Sequence, residues 1–134
     1  MLLNIDKFKT PFEYKIKTLN NREEVNVNVD LVETFNYLLG IKVKKIRQYR
    51  NEDVKYIIVY GEKENPKENT LIIWRNFDEL KLETEKVFIE KTVIPELHTN
   101  NTQHLNIYIN VDSYIKGAQS IEPIFKELSG IRND

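Results

Sequence analysis

Cysteine is absent from the 134-residue chain. That excludes disulfides, thiolate metal sites and cysteine nucleophiles, and it fits a cytoplasmic protein. Glycine is scarce, with four residues in all, and no Gly-rich phosphate loop can be assembled from them; Gly117 stands alone. Histidine occurs twice, at His98 and His104. The two lie across a polar stretch without the helical spacing or acidic company of a metal site, so a surface role is expected. Ser113 has no base beside it. No apolar run approaches the ~20 residues of a membrane span. Met1 to Asp6 lacks the basic start and apolar core of a signal peptide. An excess of one charge is missing too. Lys and Arg number 20 against 21 Asp and Glu, a net charge of -1. Binding to nucleic acid would therefore come from a local patch, not from the field of the whole molecule.

What remains suits one domain over residues 1–134, with 40% hydrophobic residues for a core. Leu71-Ile72-Ile73-Trp74 is a short continuous apolar run, the pattern of a strand buried on both faces. Phe12, Tyr14 and Ile16 alternate with charged residues, and Val25, Val27 and Val29 alternate with asparagine. Both runs read as strands joined in a hairpin. Asp30 is then a helix cap for Leu31, Val32, Phe35, Leu38 and Leu39, and Gly40 is its left-handed stop. Ile41 to Tyr49 reads as a strand whose phase breaks at Ile46, which a bulge near Lys45 would repair. Val54 to Tyr60 is a further strand, Gly61 to Asn69 a loop, and Leu71 to Trp74 the next strand.

A helix is expected from Asp78 or Glu79, with Leu82, Ile89, Val93 and Leu97 as its stripe. Pro95 should kink it or end it near Val93. Leu105 to Ile109 alternates as a strand, and Ser120 can cap a last helix with Pro123 in its first turn. The order is β-β-α-β-β-β-α-β-α. The fold expected is mixed α/β: an antiparallel three-strand meander, then a helix crossover to a parallel strand.

Lys42, Lys44, Lys45, Arg47 and Arg50 place five cations in nine residues with no acid among them. The run reads either as a strand laid along a phosphate backbone or as a lysine-protected sheet edge. Trp74, Arg75 and Asn76 close the central strand, where open α/β sheets often place a site. They read either as a ligand or partner site or as a core tryptophan beside an arginine paired to an acid. No catalytic residue and no metal site is assigned. The order α-β-β-β-α-β from Leu31 to Leu105 is that of restriction-endonuclease-like nucleases. Those need two carboxylates around a hard metal ion, with a Glu-x-Lys pattern on the third strand. Asp53 could supply one acid, but Leu71 to Asn76 offers none. The Glu13-Tyr14-Lys15 and Glu79-Leu80-Lys81 triplets lie elsewhere in the order. A diverged, DNA-acting domain of this type is the alternative function.

Four stretches together carry a family resemblance. They are Pro11-Phe12-Glu13-Tyr14, the run Val29-Asp30-Leu31-Val32-Glu33-Thr34-Phe35-Asn36-Tyr37-Leu38-Leu39-Gly40, the strand Leu71 to Asn76, and Tyr108-Ile109-Asn110 leading to Ile121-Glu122-Pro123-Ile124-Phe125-Lys126. In this order they resemble the C-terminal region of type III restriction-modification adenine-specific DNA methyltransferases, the modification subunit, over about Phe12 to Leu128. The family's Asp/Asn-Pro-Pro-Tyr loop and its Gly-containing S-adenosylmethionine segment have no counterpart, since Asn65-Pro66 is followed by Lys67. N6-adenine methylation needs that loop to hold the flipped base. The resemblance therefore implies a non-catalytic module, the tail of a larger enzyme. S-adenosylmethionine would belong to the parent enzyme, and no cofactor to this chain. It implies the methyltransferase core and the restriction subunit as partners, with DNA contact through the basic run and no membrane.

Overall fold

Leu31, Phe35 and Leu39 recur every fourth residue, which places them on one face of a helix. They lie on α1 (Arg22–Leu39), and all three are buried. The structure is a computed structural model that describes residues 22–64, 67–76, 80–99 and 104–130, with side chains from Leu31 onward. The strand expected over Val25 to Val29 is helical instead. Val25 and Val29, four apart, fit helical spacing as well as alternation. Valine's cost in a helix is small, less than about 1 kcal/mol per residue, so the valines do not prevent the helix from starting upstream of Asp30. Asp30 thus lies inside α1, not at its start. The strand expected at Phe12 to Lys17 falls outside the described residues. Gly40 ends α1 with φ +72°, and its N–H donates to the Tyr37 carbonyl at 3.0 Å.

Three strands follow, β1 (Ile41–Asn51), β2 (Val54–Glu64) and β3 (Lys67–Arg75), paired as an antiparallel meander. β4 (Leu105–Ile109) and β5 (Ala118–Ser120) join in parallel, so the order across the sheet is β1-β2-β3-β4-β5. The mixed α/β fold expected from the sequence is the fold observed, with β3 at its centre. Two differences concern lengths. Most of the stretch expected as a loop from Gly61 to Asn69 is strand, because β2 continues to Glu64 and β3 begins at Lys67. The short β5 was not foreseen.

Side chains on β3 alternate between two cores. Leu71 and Ile73 join Tyr56, Ile58, Tyr60, Ile89, Val93 and Leu97 on one face. Ile72 and Trp74 join Leu31, Phe35, Val59, Ile121 and Phe125 on the other. The first face is covered by α2 (Leu82–Phe88), a π turn (Ile89–Val93) and α3 (Ile94–Leu97), which run on without a break. Ile94 donates its N–H to the Ile89 carbonyl, five residues back. This wide turn comes just before Pro95, whose ring would crowd the carbonyl four residues back in a regular helix. The chain therefore stays helical through Pro95 to Leu97 and does not stop at Val93. The second face is covered by α1 and α4 (Ile121–Ser129). Ser120 stands at the cap position of α4, but its hydroxyl donates to the Val111 carbonyl at 3.2 Å. No helix among the described residues is long and apolar enough to cross a membrane.

Candidate functional site

The basic run forms β1, at the edge of the sheet among the described residues. Every residue from Lys42 to Gln48 is exposed. The ladder with β2 slips between Val43 and Lys45, so Lys44 is the extra residue of a bulge, as the broken phase at Ile46 predicts. Directly paired residues share a face. Lys42 faces Glu62, Lys45 faces Tyr60, and Arg47 faces Ile58, which places all three cations on the α2 side of the sheet. Lys44 reaches the same side, with Nζ 2.7 Å from Glu62 Oε2. Val43 faces Gly61 and Ile46 faces Val59, on the α1 side. Arg50 faces Lys55 and also falls on that side. The fold thus aligns Lys42, Lys44, Lys45 and Arg47 and separates Arg50 from them.

One carboxylate tempers this row. Glu62 takes Lys44 and, at 3.3 Å, the Nζ of Lys67. Hydrogen bonds from Lys44 and then from Lys67 hold its carboxyl below the usual range. Among the described residues Lys42, Lys45 and Arg47 have no ion-pair partner. At the end of the row Tyr49 packs against Phe88, with ring centroids 6.0 Å apart. Burial, and then the Glu96 carboxylate beside it, push the Tyr49 hydroxyl up to about 12. An open hollow of about 610 Å3 lies next to this contact, lined by Asn51, Thr84, Val87, Phe88 and Lys91 among others.

The carboxyl end of β3 is arranged otherwise. Trp74 and Arg75 are both fully buried, and they point to opposite faces. Asn76 is half-buried. Arg75 donates to both Glu85 oxygens, from Nε at 2.7 Å and from Nη2 at 2.9 Å. Nη2 also donates to the Asp112 carbonyl at 2.5 Å, and Nη1 to the Asn110 carbonyl and to Asn110 Oδ1. All five guanidinium hydrogens therefore have acceptors. The Asn110 amide pairs the Arg75 backbone on both sides, accepting from N–H at 2.9 Å and donating to the carbonyl at 2.7 Å. Tyr56 adds a hydroxyl to Glu85 at 2.9 Å. Burial, and then the charge of Glu85, raise the Tyr56 hydroxyl's pKa. This is the arginine-and-acid alternative of the sequence reading, and it locks the loop after β4 onto the end of β3. Glu85 and Tyr56 are not singled out in the sequence, and Asn110 enters there only within the Tyr108-Ile109-Asn110 stretch.

Around that loop, Val111 takes a positive φ of 64° and donates its N–H to Glu122 Oε1 at 2.6 Å. Burial raises the Glu122 carboxyl above its usual range. His98 is not on the surface as expected. It is 5% exposed, with Nδ1 3.0 Å from the Tyr60 hydroxyl, because the end of α3 turns it under β2. His104 is exposed and meets Asn106, which donates to Glu68. Glu68 lies on β3, so the third strand does carry a carboxylate once its true length is known. Asp53 stands in the turn before β2, and Glu68 pairs with Lys63 near its far end. The two acids are thus at opposite ends of the strand. Among the described residues no group of three His, Cys, Asp or Glu could hold a metal ion.

No family model, no curated protein and no solved structure matches the chain.

Proposed function

We propose that this chain is a non-catalytic docking module of a type III restriction-modification adenine-specific DNA methyltransferase, acting in the cytoplasm. β1 is the strand that joins it to the methyltransferase core or the restriction subunit. One observation carries this reading: among the described residues β1 is an eleven-residue edge strand, exposed on both faces over most of its length. An edge strand presents unpaired backbone groups to another chain; the bulge at Lys44 and the lysines guard β1 against a like strand, while the length beyond the bulge leaves a template for one of opposite charge. The carboxyl end of β3 supports the reading from the other side, because Arg75, Glu85 and Asn110 occupy it with one another. S-adenosylmethionine and the methyl-transfer step belong to the parent core.

The test uses a type III modification subunit that lacks its own C-terminal region. Mixed with the purified chain, it should give a complex by size-exclusion chromatography with light scattering. Changing Lys42, Lys45 and Arg47 together to Glu should abolish that complex. No complex, or saturable binding of S-adenosylmethionine to the chain alone in calorimetry, would overturn the reading.

A second reading draws on the alignment of the cations. Alternate strand residues repeat about every 7 Å, near the phosphate spacing of one DNA strand. Weak, sequence-independent contact with a DNA backbone would use the same row. Changing Lys42, Lys44 and Arg47 to Gln should then lower DNA affinity at low salt and flatten its salt dependence. An unchanged slope rejects the DNA role.

A further inference from the structure

From Lys45 to Asn51 the ladder of β1 with β2 is unbroken. This stretch is a regular strand, and its outer edge has no sheet partner among the described residues. Its two faces differ in chemistry. Lys45 and Arg47 lie on the α2 side, while Ile46, 53% exposed, lies on the α1 side with Gln48 and Arg50. A second copy of the chain is a poor occupant. β1 laid against β1 would set cations opposite cations, and directly opposed like charges are unfavourable.

We propose that the Lys45–Arg50 stretch accepts an added strand from a partner protein, an extended segment in which Asp or Glu alternates with Val or Ile. The proposal rests on the docking reading above and names the partner's chemistry. Backbone groups of the incoming segment complete the outer ladder. Its acids fall on the side of Lys45 and Arg47, and its β-branched residues cover Ile46 on the other side, because both strands alternate with the same period. Three observations favour a peptide over a nucleic acid. A phosphate backbone makes no use of Ile46. The Glu62 carboxylate stands within the cation face. The molecule as a whole carries a charge of -1.

Fluorescence anisotropy of the full chain with labelled synthetic peptides of about ten residues tests this. An alternating Glu-Val peptide should bind. A peptide of the same composition in two blocks, and the alternating peptide with every second amide N-methylated, should each bind at least about tenfold more weakly. Lys45→Glu with Arg47→Glu should reverse the preference, losing the Glu-Val peptide and gaining an alternating Lys-Val peptide. That gain separates a lost contact from a lost fold. Equal binding of the blocked or N-methylated peptide would reduce the site to charge attraction and overturn the proposal. So would binding of a DNA duplex at the same salt while every peptide fails. If the peptides fail and the chain still forms its complex with the truncated modification subunit, strand addition is wrong and docking stands. Failure of both removes the docking reading as well.

Discussion

Gly61 and Lys42 meet across the bulge of β1 so closely that a Cβ on Gly61 would lie 2.6 Å from the Lys42 carbonyl oxygen. The contact is with backbone, which has little room to give. The absence of a side chain at Gly61 is therefore what lets β1 bulge at Lys44, and the bulge is what aligns the cations. Gly61→Ala should destabilise the fold by about 1–3 kcal/mol. Urea titration reads the loss, and amide exchange should place it in β1. An unchanged midpoint would mean that the bulge does not need Gly61.

The Arg75–Glu85 pair is fully buried and satisfied on all sides. Removing one partner leaves the other charge stranded in the core. Glu85→Leu is expected to cost about 3–5 kcal/mol, while Arg75→Met with Glu85→Leu should recover much of that loss. A double-mutant cycle in denaturant checks both figures. Additive losses would show that the two side chains do not act as a pair.

Phe35 has no solvent exposure and touches three rings. Trp74 and Tyr108 meet it edge-on at 6.0 and 5.8 Å, and Phe125 stacks on it at 6.1 Å. Phe35→Ala should cost about 3–5 kcal/mol. A loss below about 1 kcal/mol in a denaturant titration would mean that α1 does not pack there.

Glu122 gives a pH dependence with a definite sign. Burial raises its folded pKa above the unfolded value of 4.5. Its contribution to stability is then fully present below about 4.5 and is lost as pH rises through the raised folded value. Glu122→Gln keeps an acceptor for the Val111 N–H and removes the ionisation. The variant should match the parent protein at the acid end and exceed it in urea midpoint at neutral pH. A constant difference across the range would show that Glu122 does not titrate in this way.

The centre of the sheet was legible because local pattern and burial agree there. Leu71 to Trp74 is apolar without interruption and lies on the middle strand. The bulge was legible from a single misplaced residue, Ile46. Other features depend on distant partners. Glu85 and Asn110 lie 10 and 35 residues from Arg75, and no local period joins them. Glu85 did leave a trace, an acid four residues before Ile89 in the apolar stripe of its helix. A charge in that position implies a buried partner. Val25, Val27 and Val29 misled because positions four apart satisfy both periods. Lys67 and Glu68 were hidden because polar residues on exposed strand ends look like a loop.

β3 and β4 are parallel, and the chain must travel from Asn76 to His104 before they can pair. The strands of the β1-β2-β3 meander are separated by few residues in the sequence, so their contacts can form early, while the β3–β4 ladder requires a long loop closure. Arg75 therefore belongs to the early part of the molecule and Asn110 to the late part. On this expectation the guanidinium stays hydrated until β4 pairs, and pairing of β4 seals the charge late in folding. Asn110→Ala should accordingly speed unfolding and leave the folding rate nearly unchanged, whereas Ile58→Val should slow folding.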